Sequence, residues 1–234
     1  MYSRTIGDEE YTFGVSGKLI MNALVMYDHQ TRTLWSQFLR KGVEGELKDV
    51  ELDVVPVTQT TWGTWKELHP DTKVMSTGGL GSYDNYNGYY MSNRKGVIGQ
   101  AFEDDRLTDK QLVVGVDFNG VTKAYPTATL LNTPVVNDDV GGQPALVYMD
   151  GPTGTALVFD RTVDGRTLTF SIDGEKNGIQ TKLVDEETGT VWSAFSGLAV
   201  EGELSGARLE RLPSHLSFWF AWTDWYRDTE LFTG

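Results

Sequence analysis

The sequence predicts a mainly β protein, a β-rich α+β fold in which two homologous β-sheet repeats each carry one short tryptophan-containing helix. Three observations predict it. The pentapeptide Val-Glu-Gly-Glu-Leu occurs at 43–47 and again at 200–204. Three tryptophan pairs, Trp35/Trp192, Trp62/Trp219 and Trp65/Trp222, fall in the same register, 157 positions apart. The text around them is written as short apolar runs punctuated by Gly, Asn, Asp and Pro, which is how strands joined by tight turns read.

The register holds without a gap. Phe13 meets Phe170, Gly17 meets Gly174, Asp28 meets Asp185, Leu52 meets Leu209 and Asp71-Thr72 meets Asp228-Thr229. Self-similarity at a fixed period is the mark of a duplicated unit. The repeat signature is Phe13, Gly17, Asp28, Trp35, Trp62 and Trp65, matched by Phe170, Gly174, Asp185, Trp192, Trp219 and Trp222. Met1 aligns with Val158, and the strand-rich stretch from about 111 to 157 has no first-copy counterpart. The expected organisation is therefore 1–75 as the C-terminal part of a first repeat, 76–110 as a Gly/Tyr/Asn-rich connector, and 111–234 as a second, complete but degenerate repeat.

In chain order, 11–16 and 21–27 read as strands. Asp28–Arg32 reads as a turn whose Asp and Thr bond the backbone, and Thr33–Phe38 as the returning strand. Leu52–Val57 reads as a further strand. Thr61–Leu68 reads as a helix with Trp62 and Trp65 on one face, and Ser217–Tyr226 as its aromatic-rich twin. Such stripes most often plug a sheet. Asp84–Gly88 resembles a calcium loop, but Tyr86 and Gly88 fall where oxygen ligands are needed. Val113–Phe118, Asn119-Gly120 and Val121–Tyr125 form the clearest hairpin, because Asn-Gly supplies the positive φ angles of a tight turn. Pro126 opens a helical turn, and Thr133–Val136, Ala145–Met149 and Thr155–Asp160 follow as strands.

Composition narrows the function. The net charge is −13, which disfavours nucleic acid as a partner. There is no cysteine, so disulfides, thiolate metal sites and thiol nucleophiles are excluded. No apolar run reaches the ~20 residues of a membrane-spanning helix, and the first residues, MYSRTIGDEE, lack a signal-peptide core. Abundant Thr and aromatics lean toward an extracytoplasmic or cell-surface location.

The residues of common active sites are scattered. His29, His69 and His215 share no spacing with carboxylates. Gly14-Val15-Ser16-Gly17 leads into a strand, so it is not a nucleophile elbow. Glu44 and Glu46, repeated as Glu201 and Glu203, read as a solvated pair. No catalytic, cofactor-binding or metal residue is assigned, and no cofactor is expected.

Phe13–Leu19, Leu24–Asp28, Leu34–Gln37, Glu103–Leu107, Tyr125-Pro126, Val136–Asp138 with Gly141-Gly142, and Val158–Arg161 together resemble an uncharacterised microbial domain-of-unknown-function family, DUF3179. The resemblance spans nearly the whole chain. It implies a His-Glu pair shortly after Tyr-Pro and a Cys-Pro-x-x-Cys-like stretch before Asp-Arg, a combination that suggests a metal or redox site in family members. In this chain the His-Glu positions fall on Thr133-Pro134. The cysteine stretch falls within Tyr148–Gly154, without a cysteine.

The expectation is a non-catalytic β-rich scaffold or binding protein that self-associates through unpaired strands of the first repeat. One alternative is a degenerate or truncated metal or redox enzyme whose reactive residues lie upstream. A second is a carbohydrate-binding module using exposed tryptophans.

Overall fold

The computed structural model describes residues 1–76 and 86–234. The protein is mainly β, with several antiparallel sheets and four short α-helices among the described residues. The chain divides into two compact units. One comprises Met1–Val57, Asn93–Gln111 and Ser217–Asp228; the other comprises Thr58–Ser92, Leu112–Leu216 and Thr229–Gly234. Asp84 and Asn85 of the calcium-like stretch lie outside the described residues.

The first unit is built on a four-stranded meander of Phe13–Ile20, Ala23–Asp28, Leu34–Ser36 and Lys41–Glu44, adjacent in that order. Met21 and Asn22 both take positive φ and join the first two strands, so the turn lies inside the expected second strand. A distant segment holds the turn there. Val97 N and Ile98 N donate to Asn22 Oδ1 at 2.7 and 2.9 Å, and Asn22 Nδ2 donates to the Gly99 carbonyl at 2.6 Å. The expected strand Leu52–Val57 is reduced to one isolated bridge, Tyr2 with Val54, and a second, Lys41 with Glu51, lies just before it. Its amides serve scattered carbonyls instead, Leu52 N that of Arg40 and Val55 N that of Met1.

Helix Trp219–Trp225 belongs to this first unit. Its Trp225 ring stacks on Phe38 at 5.2 Å, and Tyr226 Oη donates to the Phe38 carbonyl. Asp224 accepts from Ala101 N and Phe102 N, both at 2.8 Å, and the Trp219 and Phe220 amides donate to the carbonyls of Gln111 and Asp109. The helix therefore fastens residues 101–111, its first turn bonding Asp109 and Gln111 and Asp224 bonding Ala101 and Phe102.

The second unit has a meander of the same order: Phe170–Asp173, Lys182–Asp185, Val191–Ser193 and Ala199–Glu201. It also holds the sheet of Val135–Val140, Gln143–Asp150 and Thr155–Asp160, which is buried on both faces. Leu146, Tyr148, Leu157 and Phe159 pack on Leu168, Phe170, Leu183 and Trp192. The alternate residues Ala145, Val147, Met149 and Val158 pack on Val114, Val116, Tyr125 and Leu130. Such period-two alternation is the property of a strand that lets one sheet serve two cores. The Leu112–Phe118 and Val121–Pro126 hairpin turns on Asn119 (φ 52°) and Gly120 (φ 80°) as expected, and Thr127–Asn132 follows as a helix. Helix Trp62–Leu68 lies in this unit, with Leu68 against the Trp192 core. Each short helix is thus housed with the meander of the other half of the sequence.

Both meanders turn on a buried carboxylate. In the first, Thr31 N donates to Asp28 Oδ1 at 2.5 Å and Trp35 Nε1 to Asp28 Oδ2 at 2.9 Å. Thr31 Oγ1 sits 2.7 Å from Thr33 Oγ1, which accepts from Leu47 N at 3.1 Å. In the second, Thr188 N and Trp192 Nε1 donate to Asp185 at 2.6 and 2.8 Å, and Thr190 Oγ1 accepts from Leu204 N at 3.1 Å. This explains the pentapeptide. Gly45 (φ 115°) and Gly202 (φ 107°) pass so close to Thr33 and Thr190 that a Cβ would stand 2.8 Å from the threonine Cα in both places.

Gly45→Ala and Gly202→Ala are each expected to cost ~2–4 kcal/mol, combining positive φ with overpacking. Gly17→Ala and Gly174→Ala have positive φ but open space, and are expected to cost only ~1 kcal/mol. Urea denaturation of the four variants checks this; equal losses would remove the close-approach argument.

Candidate functional site

The signature residues share several local contacts and differ in burial. Trp35 and Trp192 are fully buried, and Phe13 and Phe170 meet them edge-on at 5.8 and 5.7 Å. Gly17 and Gly174 have φ of 76° and 74°. Trp65 and Trp222 each contact the ring four residues on, His69 and Tyr226, at 4.2 Å. Trp219 and Trp222 are fully buried, whereas Trp62 is 50% exposed and Trp65 only half-buried, so the first helix does not present the buried stripe expected of a sheet plug. Asp28 is fully buried, and burial works to raise its pKa. The amide of Thr31, the indole of Trp35 and the hydroxyl of Thr31 outweigh that and hold it below 3.8. The three histidines are placed apart from any acid cluster: among the described residues, no group of three His, Asp or Glu side chains is arranged to hold a metal ion. Glu44 and Glu46 are exposed, as are Glu201 and Glu203.

The second unit brings together a titratable cluster that no single stretch of sequence displays. Tyr125 Oη donates to Asp138 Oδ2 at 2.8 Å, and Lys123 Nζ lies 2.8 Å from the same oxygen and 3.6 Å from Glu230. Strand Glu230–Leu231 runs parallel to Val121–Pro126 and delivers the glutamate. Burial, the bond to Asp138 and the negative charges around it push the Tyr125 phenol far above its ordinary value. Burial also acts to raise Asp138, but bonds from Lys123, Tyr125 and the Asp139 amide hold it below 3.8. The result is a protonated tyrosine and an ionised aspartate locked on each other.

In the first unit, Glu103–Asp109, Lys95 and Gln111 line an open cleft of about 630 Å³. Its cations are occupied. Arg106 donates to both oxygens of Asp104, and Lys95 lies 3.0 Å from Asp109. The Asp104 carbonyl accepts from Trp219 Nε1 at 3.1 Å, and the Arg106 guanidinium sits 5.2 Å from that indole. The bonds from Arg106 hold Asp104 below its usual value against partial burial. The Glu103–Leu107 motif thus closes upon itself and upon the helix.

These features define a mainly β protein whose sequence motifs become buried turns, ion pairs and close packings. The chain belongs to the family described as Protein of unknown function (DUF3179), which matches residues 1–231. No curated protein and no solved structure matches it significantly. The structure brings together the two positions where the family resemblance implied reactive residues: Met149 N donates to the Pro134 carbonyl at 2.8 Å. Here the meeting place holds Thr133, Pro134, Met149 and Asp150, and the Thr153 hydroxyl donates to Asp150.

That last bond belongs to a pattern that sequence reading missed. Asp-x-x-Thr-x-Thr occurs at 28–33, at 185–190 and also at 150–155. In the third case Thr153 and Thr155 hydroxyls are 2.6 Å apart, and Thr155 donates to Thr60 at 2.8 Å. The signal was visible as a spacing, but the fixed period of 157 drew attention only to the other two.

The folded pKa values of Asp28 and Asp138 lie below the ordinary 3.8. Their contribution to stability is therefore complete above 3.8 and lost as pH falls through the lower folded values. Urea midpoints are expected to be level from neutral pH down to about 5 and to fall below about pH 4. Asp28→Asn should flatten that acid limb while lowering stability at pH 7; an unchanged limb would show that Asp28 is not proton-linked to folding.

Proposed function

We propose that the chain is a non-catalytic scaffold or binding protein built by duplication of one β-rich unit. The observation that carries this reading is the content of the Pro134–Met149 meeting place, where the family resemblance implied a His-Glu pair and cysteines and this chain has Thr133, Pro134, Met149 and a single buried carboxylate, Asp150, bonded to the Thr153 hydroxyl. The Lys123–Tyr125–Asp138 cluster supports it. Its tyrosine is fully buried with its hydroxyl bonded to the aspartate, and the aspartate is also paired with the lysine, so these groups are committed to one another. A panel of ester, phosphomonoester and glycoside substrates is expected to show equal background with the wild type and Tyr125→Phe. Turnover that the variant abolishes would overturn the reading.

Self-association enters through strand Phe13–Ile20, the edge of its sheet. Its Val15 is 68% exposed and Leu19 38%. Exposed edges of this kind invite strand addition. Sedimentation velocity over a concentration series is expected to show an oligomer that Leu19→Glu dissociates; a wild-type monomer at all concentrations would sink it.

A second reading, carbohydrate binding, is favoured by one observation, the half-exposed indole of Trp62. It requires that Trp62→Ala release the protein from a polysaccharide that the wild type retains.

A further inference from the structure

The meander of the first unit carries a small pocket whose lining differs in charge from the counterpart positions of the second. It has a volume of about 230 Å³ and is lined by Val15, Ser16, Lys18, Tyr27, Arg32 and Leu34. Two of these side chains are cations and none is an acid, in a chain of net charge −13. Among the described residues, no carboxylate lies within ion-pairing distance of Lys18 or Arg32. Both are exposed. In a protein this acidic, two unneutralised cations in one concavity are a local reversal of the prevailing field.

The backbone is arranged to put them there. Ser16 Oγ donates to the Val25 carbonyl at 2.5 Å and accepts from Lys18 N at 3.1 Å. With Gly17 in a left-handed conformation and a register shift between Val15 and Leu19, the strand is bent at Lys18. The floor is fixed by Tyr27, whose ring lies so close to Gly14 that a Cβ there would stand 2.7 Å from Cζ. The Arg32 guanidinium stacks 4.4 Å over that ring, which orients its fork.

Arg32 also has φ 63°, a conformation that costs a non-glycine residue energy. Its counterpart, with φ 67°, is Gly189. The other counterparts of the lining are Ile172, Asp173, Glu175, Val184 and Val191. The same corner of the same meander therefore carries Lys and Arg in one place and Asp and Glu in the other. The turn itself does not need the arginine, since glycine serves it at lower backbone cost.

We propose that this pocket binds a small oxyanion, the carboxylate, phosphate or sulfate head of a small molecule, with Arg32 supplying a forked contact and Lys18 a point charge. The proposal rests on the binding reading above. Its size is below that of drug-sized ligand sites, about 300–1,000 Å³, and suits a head group or a single sugar acid.

The test is calorimetric titration of the full chain at low ionic strength with inorganic phosphate, sulfate and glucuronate separately. The expected result is saturable binding of at least one probe, weakened by added chloride. Arg32→Gly, which copies the counterpart turn, should lower affinity at least tenfold while leaving the melting temperature unchanged or raised. Lys18→Glu should do the same for affinity. No saturable binding of any probe, or equal binding by the Arg32→Gly/Lys18→Glu double variant, would overturn the proposal. The substrate-panel result is separate: turnover abolished by Tyr125→Phe with oxyanion binding intact would overturn the non-catalytic reading and leave the pocket standing.

Discussion

The rest of each meander depends on a buried carboxylate satisfied almost wholly by neutral donors. Asp28 and Asp185 are at most 1% exposed, and the groups around them are amide, hydroxyl and indole rather than ammonium or guanidinium. Burying an ionised carboxylate is expensive unless its lone pairs are filled. Filling them requires the Asp, Thr and Trp at fixed offsets, which fixes the turn, and the turn fixes which strand residues face each other. The hydroxyl of the second threonine then reaches forward to Leu47 or Leu204 and draws a glycine against its own backbone. One electrostatic requirement thus propagates from a turn, through a strand register, to a pentapeptide eleven or more residues along.

The same local device sits in unlike surroundings. Phe170 and Leu183 are buried in the second unit against Leu146, Tyr148, Leu157 and Phe159. Asn137 completes that packing: its Nδ2 donates to the Phe170 carbonyl and its Oδ1 accepts from the Phe170 amide, both at 2.8 Å. Phe13 and Met26, the corresponding residues of the first unit, are only half-buried. The polar relay is therefore intrinsic to the meander, while the apolar packing around it varies. The helices follow the same rule. Both begin with extended backbone at the cap, φ −70° at Thr61 and −71° at Phe218, yet one buries its leading tryptophan and the other exposes it.

What was legible in the sequence was local. Asn119-Gly120, Pro126 and the Asp-x-x-Thr turns specify their own backbone, so the hairpin, the helix start and the turn bonding could be read directly. The failures have nonlocal causes. Met21 and Asn22 form a turn because Asn22 is held by residues 97–99. Leu52–Val57 has strand composition but no neighbour in register, and so keeps only one isolated bridge, at Val54. Trp62 repeats Trp219 in sequence but not in burial, because burial belongs to the environment. Lys123, Tyr125, Asp138 and Glu230 converge from three strands, and no periodicity links them. Lys18 and Arg32 share a pocket only through a strand bend and a left-handed residue, features that the family motif contains but does not announce.

The paired meanders separate what the fold requires from what it tolerates. Asp28, Thr31, Thr33, Trp35 and Gly45 reappear unchanged at the counterpart positions, and each has a buried bond or a close approach that accounts for it. Lys18, Tyr27 and Arg32 become Glu175, Val184 and Gly189, so the turn geometry survives their loss and, at Lys18, the reversal of charge. A residue that the fold tolerates losing, and that holds a positive φ where glycine would be easier, is not explained by folding. The Arg32–Tyr27 stack accounts for how the arginine is held, but not for why the pocket around it lacks a carboxylate in so acidic a chain. Among the described residues the two cations have no carboxylate within ion-pairing distance, so what holds them at this corner is the strand bend at Gly17 and the Tyr27 ring rather than an ion pair.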